Sequence, residues 1–165
     1  MTPYQQSKLY NDSLACLSGQ GVPKDEHRSF ELNREAALDG HADAILAMGW
    51  FYLNGVGIER DLELAKQWYR KSARHGAPQA MFSLGQIAYD ARDWSDARVW
   101  FKRAADAGHH RSLFWLGKLY WRGRGVELDK RYARQLFQRA ASFKVYEAQR
   151  AIRMLSRRST PNTPL

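Results

Sequence analysis

The chain has 165 residues, of which 44% are hydrophobic and 13% aromatic, and its formal net charge is +9. This length and composition allow the chain to bury a core of its own and predict a folded, soluble protein, with one compact domain as the default. No apolar run approaches the roughly 18 residues of a membrane span, and the N-terminus lacks the basic start and apolar run of an export signal. We therefore expect no membrane insertion and, with a single cysteine, a reducing cytoplasmic location.

The excess of basic charge lies in the second half of the sequence. Residues 1–82 hold nine Lys or Arg against ten Asp or Glu, whereas residues 83–165 hold seventeen against seven. This asymmetry indicates an acidic partner for the second half, and a solvated basic surface is the competing interpretation.

The pattern of apolar residues predicts helices along the whole chain. Apolar residues recur at intervals of three and four, and no stretch alternates as a strand does. In chain order the predicted helices cover residues 3–17, 25–38, 42–53, 61–75, 79–89, 94–107, 110–121, 129–142 and 145–156. The tail at 157–165 is poor in apolar residues and is predicted to be disordered.

Capping residues support these helix ends. Polar side chains suited to an N-cap are predicted at three starts, namely Asp61, Ser95 and Asp129. A glycine suited to the left-handed conformation follows three ends, namely Gly40, Gly76 and Gly108.

The sequence repeats itself, so the helices come in pairs. The segment "GWFYLNGVGIERD" at 49–61 matches "GKLYWRGRGVELD" at 117–129, and "SGQGVPKD" at 18–25 is a third copy. A further copy, "GQIAYDARDWSDA" at 85–97, lacks the loop with two glycines. The downstream helices align as "ELAKQWYRKSARHG", "SDARVWFKRAADAG" and "RYARQLFQRAASFK".

These motifs resemble the Sel1-like repeat, a relative of the tetratricopeptide repeat with a longer loop. The residues that carry the resemblance are Ala44, Met48, Gly49, Tyr52, Gly55, Gly57, Asp61, Ala65, Trp68, Ala73 and Gly76, then Ser112, Leu116, Gly117, Tyr120, Gly123, Gly125, Val126, Asp129, Ala133, Leu136 and Ala141. The resemblance covers nearly the whole chain and implies an all-α fold, a right-handed α-solenoid. It places one domain over 1–156, with repeats at about 3–40, 41–76, 77–108 and 109–144 and a capping helix at 145–156.

The sequence does not indicate catalysis, a cofactor or a metal. His109 and His110 are adjacent, and consecutive helical residues diverge by about 100°, which makes a poor chelate. No Ser-His-Asp, Cys-His or His-Glu-x-x-His order is evident. The "GRGV" segment at 123–126 follows a helix, whereas phosphate-binding loops follow a strand. We therefore predict a non-enzymatic protein.

A binding groove is predicted from the face positions of the tetratricopeptide repeat, carried onto the first helix of each repeat. The predicted groove is aromatic throughout and becomes basic toward its C-terminal end. Its residues are Tyr10, Leu46, Trp50, Phe82, Gln86, Tyr89, Arg111, Phe114, Lys118, Trp121, Arg122 and Arg150. If these side chains are exposed, they form a contiguous apolar strip, which is typical of a binding surface. The alternative is that the aromatic side chains are core residues.

Two functions follow from these observations. The resemblance implies a protein–protein interaction adaptor or scaffold, as in bacterial signalling, envelope and host-interaction assemblies. Its groove would bind a peptide or protein with apolar anchors and carboxylates, which the basic residues could pair. The alternative is nucleic-acid binding, in which basic residues contact phosphates while Phe114 and Trp121 stack on bases. The oligomeric state does not follow from the sequence.

Overall fold

The computed structural model describes residues 1–157, and every helix or strand within that range is an α-helix. The helices are α1 (Pro3–Ser18), α2 (Glu26–Leu38), α3 (Ala42–Asn54), α4 (Leu62–Arg74), α5 (Pro78–Asp90), α6 (Trp94–Asp106), α7 (Arg111–Arg122), α8 (Lys130–Ser142) and α9 (Tyr146–Arg157). The predicted all-α repeat fold is confirmed, and the predicted helix ends are correct to within about one residue. Residues 158–165 lie outside the described range, so a disordered tail stays a prediction.

Side-chain caps fix where several helices begin. Asp61 and Asp129 cap α4 and α8 as predicted, and each accepts a backbone hydrogen bond from three residues on, at 2.9 and 2.8 Å. The predicted cap Ser95 is wrong, because Asp93 caps α6 and accepts a hydrogen bond from the Asp96 N–H at 3.0 Å. The short turn before α6 lacks the glycine loop, so an earlier aspartate reaches the cap position.

The chain divides into two compact units, a first unit of Met1–Ala80 and a second unit that begins at Met81, in the first turn of α5. In the first unit, α1 packs against α2, α2 against α3, and α3 against α4. In the second unit, α6 packs against α7, α7 against α8, and α8 against α9. A single repeat domain over 1–156 stays a prediction.

A glycine inside the first helix makes room for an aromatic ring of the second helix in three of the pairs. These glycines and rings are Gly49 with Tyr69, Gly85 with Phe101, and Gly117 with Phe137. A Cβ atom on any of the three glycines would lie 2.5–2.6 Å from the ring. The paired helices therefore approach more closely than any larger residue would allow.

The first pair is held by two serines instead. Ser13 lies at the position of the helical glycine, and its hydroxyl donates to the Ser29 carbonyl at 2.8 Å. The Ser29 hydroxyl donates back to the Ser13 carbonyl at 2.8 Å. Both serines are buried, so this reciprocal contact satisfies polar groups that would otherwise destabilise the core.

Two glycine loops lie against the start of the second helix of the preceding repeat. Gly57 has a positive φ of 67°, and a Cβ there would overlap the backbone carbonyl of Glu26 in α2. The Gly57 carbonyl also lies 3.1 Å from the His27 Nδ1. Gly125 approaches the backbone of Trp94 in α6 in the same way. The second glycine of each loop is thus required by a close approach as well as by φ.

Candidate functional site

The predicted groove residues of the first unit lie on α1 and α3. Tyr10 is half-buried and stacks on His41 with ring centroids 4.8 Å apart. Burial and then the Asp43 carboxylate raise the pKa of Tyr10. Leu46 is half-buried, and Trp50 is 40% exposed. Trp50 is therefore the most accessible of these three predicted groove residues.

In the second unit, Phe82 is a core residue and does not line a groove. Its side chain is 3% exposed, because it packs between α6 and the start of α7. The Phe82 ring lies 5.8 Å from the Phe101 ring and stacks on His109 at 4.3 Å. The assignment of Phe82 to an accessible surface is corrected by this burial.

His109 has a perturbed pKa and provides a pH-dependent test of this packing. Burial, and then the positive Arg111, lower the pKa of His109 below its ordinary value. The folded state therefore favours the neutral ring, and its stabilisation is complete above the unfolded pKa of about 6.5. Stability is lost as the pH falls from there toward the lower folded pKa. We expect urea midpoints to fall less between about pH 7.5 and pH 5.5 in His109→Gln than in the unsubstituted protein.

Exposed His75 provides the control for this prediction. His75→Gln is measured in the same way, because it removes an imidazole that lies outside the contact between Phe82 and His109. Identical pH dependence in all three proteins would show that His109 does not contribute to the acid sensitivity of the fold.

Arg111 is exposed but already paired. Its guanidinium forms an ion pair with the Glu147 carboxylate of α9 at 2.5 Å. The role of Arg111 in pairing a carboxylate of the partner stays a prediction, and in this structure the guanidinium pairs with a carboxylate of the same chain.

Tyr89 and Lys118 belong to a cluster of rings and cations. The Tyr89 ring meets the Trp115 ring edge-on, with centroids 4.9 Å apart. The Lys118 Nζ lies 3.8 Å from the Trp115 centroid and 5.0 Å from the Tyr89 centroid, which are cation–π distances. Arg124 donates to the Tyr89 hydroxyl at 3.4 Å. Gln86 is half-buried on the same helix as Tyr89.

Four predicted groove residues line one pocket between α7, α8 and α9, which we call the α7–α9 pocket. Its volume is about 510 Å³, and its lining residues are Phe114, Lys118, Trp121, Arg122, Phe137, Ala151, Met154 and Leu155. The contributions of α8 and α9 do not follow from the face positions of the first helices, because the repeat pattern predicts α9 only as a cap. Arg150 instead faces a smaller pocket of about 260 Å³, beside Tyr146 and Arg153.

The α7–α9 pocket has an apolar floor and a basic edge. Lys118 and Arg122 line its wall from α7. Lys130 Nζ and the Arg134 guanidinium carbon of α8 lie 5.7 and 5.9 Å from the Trp121 ring centroid. Within residues 1–157, none of these four cations forms an ion pair with a carboxylate. Their charge is available to an acidic ligand.

The described part of the chain, 1–157, has no group of three or more His, Cys, Asp or Glu side chains that could hold a metal ion. In that same range no helix is long and apolar enough to cross a membrane. The cytoplasmic location stays a prediction.

Repeated helix pairs, closed by a helical glycine or serine and joined in two places by docked glycine loops, define an all-α helical-repeat protein. The family model of the Sel1 repeat matches four segments of the sequence, 9–41, 42–76, 78–109 and 110–142. The chain belongs to the Sel1 repeat family.

The chain is similar to proteins from a yeast and from two bacteria. The chitin synthase regulator SKT5 of Saccharomyces cerevisiae is 32% identical over 90 residues, 49% of this chain and 13% of that protein. A solved Sel1 repeat protein of Oxalobacter formigenes is 27% identical with a TM-score of 0.83, over 90% of this chain and 64% of that one. The Escherichia coli antigen c5321 is 28% identical with a TM-score of 0.82, over 87% of this chain and 32% of that one. The chain thus spans less than two thirds of each.

Proposed function

We propose that this chain is a non-enzymatic interaction adaptor whose α7–α9 pocket binds an apolar, acidic segment of a protein partner. Sel1 repeat proteins are protein-interaction adaptors. The yeast relative is named a regulator of chitin synthase, which supports a role exerted on another protein. The α7–α9 pocket is the single observation that carries the proposal.

The size and lining of the α7–α9 pocket suit a side chain from another molecule. Its volume of about 510 Å³ lies in the range of about 300–1,000 Å³ that is typical of ligand sites. Phe114, Trp121 and Phe137 supply aromatic surface, and burying such surface drives association. We therefore propose that an apolar side chain of the partner packs against the aromatic floor of the pocket.

The edge of the α7–α9 pocket suits carboxylates near that anchor. Lys118, Arg122, Lys130 and Arg134 lie on it or beside its Trp121 ring. Charge-assisted hydrogen bonds from lysine and arginine to carboxylates are among the stronger polar contacts. Complementary charge also speeds encounter and fixes register. We therefore propose that the acidic residues of the partner flank its apolar anchor.

Nucleic-acid binding is the second candidate, and one observation on α8 favours it. That helix carries four basic residues and no acidic one, namely Lys130, Arg131, Arg134 and Arg139. Binding to phosphates through these residues would weaken steeply between low and moderate salt, whereas a complex anchored by apolar burial would persist. A flat fluorescence-anisotropy titration with labelled RNA and DNA at low salt would remove this candidate.

A peptide-display selection on the immobilised protein tests the adaptor proposal. We expect enrichment of sequences that combine a large apolar residue with Asp or Glu. Trp121→Ala should weaken binding of an enriched peptide by about 30-fold or more, as for a central interface aromatic. The affinity is measured by fluorescence anisotropy at about 0.15 M salt.

Trp100→Ala is the matched control, because Trp100 lies on α6 and outside the α7–α9 pocket. It should bind the peptide with unchanged affinity, and circular dichroism should show that both variants fold. If Trp121→Ala unfolds, Arg122→Glu provides a second test at an exposed position. Enrichment that ignores acidic residues, or binding unchanged in folded pocket variants, would contradict the proposal.

A further inference from the structure

We infer that the α7–α9 pocket is an unfilled seat for a tryptophan side chain, and that the partner presents a tryptophan beside carboxylates. This inference rests on the proposed function and specifies the anchor. It follows from a comparison of two successive repeats within the second unit, one with the seat filled and one with the seat open.

The same aromatic framework occurs twice in the second unit. Between α5 and α6, the Tyr89 and Phe101 rings lie 6.4 Å apart. Between α7 and α8, Trp121 and Phe137 occupy the corresponding positions of the repeat, and their rings also lie 6.4 Å apart. A second distance between ring centroids is also nearly the same in the two frameworks. It is 5.8 Å between Phe82 and Phe101 and 5.7 Å between Phe114 and Phe137.

In the first framework, Trp115 of α7 fills the space beside these rings. Its ring lies 4.9 Å from the Tyr89 ring and 5.7 Å from the Phe101 ring, nearly parallel to the latter. The framework is therefore shaped to receive an indole, and this chain supplies that indole from its next first helix.

In the second framework, the next first helix is α9, and it supplies no large side chain. The alignment that pairs Leu116 with Ile152 places Ala151 at the position of Trp115. Ala151 lines the α7–α9 pocket together with Trp121 and Phe137. The pocket is thus the space that an indole would occupy.

The charges at the edge of the seat differ between the two frameworks. Beside the filled seat, the repeat positions on α5 are Gln86 and Asp90. Beside the open seat, Lys118 and Arg122 take those positions. The Lys118 ammonium also lies over Trp115 of the filled seat, at 3.8 Å, so the cations that distinguish the open seat are Arg122, in place of Asp90, and Lys130 and Arg134 beside Trp121. An occupant with neighbouring carboxylates is complementary to these three cations. The partner is therefore a protein segment with a tryptophan flanked by Asp or Glu.

Three synthetic peptides with the same acidic residues and a central Trp, Leu or Ala test this inference by fluorescence anisotropy. We expect the Trp peptide to bind about tenfold or more tightly than the Leu peptide, and the Ala peptide to bind most weakly. Indole-3-propionate should compete with the Trp peptide. These binding and competition measurements need only the unsubstituted protein.

Ala151→Trp tests whether the α7–α9 pocket accepts an indole. The new tryptophan side chain should fill the pocket as Trp115 fills the corresponding space one repeat earlier. We expect this variant to melt at a higher temperature and to lose about tenfold or more in affinity for the Trp peptide. Ala42→Trp, at an exposed position of α3, is the matched control and should bind as the unsubstituted protein does.

The outcomes separate this inference from the proposed function. Equal affinities for the Trp and Leu peptides would overturn the tryptophan seat and leave an apolar, acidic partner in place. Unchanged binding of the Trp peptide to folded Ala151→Trp would overturn the seat as well. Binding of none of the peptides, with enrichment absent from the display selection, would overturn both.

Discussion

Replacing Phe82 by alanine is expected to lower the free energy of unfolding by about 3 to 5 kcal/mol. Phe82 is 3% exposed, and its ring contacts those of Phe101 and His109. Deleting it removes buried apolar surface and leaves a cavity that the rigid neighbouring helices fill only in part. Urea unfolding followed by circular dichroism measures the loss.

Phe143→Ala is the matched control, since Phe143 is 48% exposed and stacks only at the surface, on His110. Its loss should be about 1 kcal/mol or less. Similar losses for the two variants would return Phe82 to the set of accessible groove residues. A selective loss for Phe82→Ala also means that this variant is unsuitable for testing partner binding, because it removes the fold.

Gly57→Ala is expected to destabilise the protein by about 2 to 5 kcal/mol, for two reasons that add. The positive φ of 67° at Gly57 costs about 1 to 2 kcal/mol for any residue with a Cβ. The new Cβ would also overlap the backbone carbonyl of Glu26, and overpacking of this kind costs about 1 to 3 kcal/mol. Backbone cannot rotate away as a side chain can, so α2 or the loop must move.

Gly21 provides a control that separates the two costs. It is the equivalent glycine of the first repeat, with a φ of 75°, and a Cβ there would meet no atom within 4 Å. Gly21→Ala should therefore cost only the conformational part, about 1 to 2 kcal/mol. Thermal melts of both variants measure the difference, and equal melting temperatures would mean that the loop does not rest on α2.

The helices and their pairing were predictable because they depend on local signals. The apolar period, the capping aspartates and the glycines after helix ends are all readable from neighbouring residues. The cap of α6 was the exception. Asp93 and Ser95 are both suitable caps, and only the length of the turn decides between them.

The site was predictable in part, because a repeat pattern gives positions on a helix but not their burial. Phe114, Lys118, Trp121 and Arg122 do come together, whereas Phe82 is buried. Both faces of a first helix carry rings in this chain, so aromatic content alone does not distinguish core from surface.

The repeat pattern also does not predict side-chain contacts between helices that are distant in the sequence. The pairing of Arg111 with Glu147 joins α7 to α9, and no local signal marks it. The change from Trp115 to Ala151 was, by contrast, readable from the aligned repeats. This change lies outside the family motif, and it indicates the open space of the α7–α9 pocket.

The glycine loops also have a consequence for how the molecule opens. Because the loop after α3 rests on the start of α2, and the loop after α7 rests on the start of α6, a helix pair cannot detach without uncovering its neighbour. Repeat proteins usually unfold one repeat at a time, as a chain of nearest-neighbour equilibria. We therefore expect the first and second repeats to open together, and likewise the third and fourth.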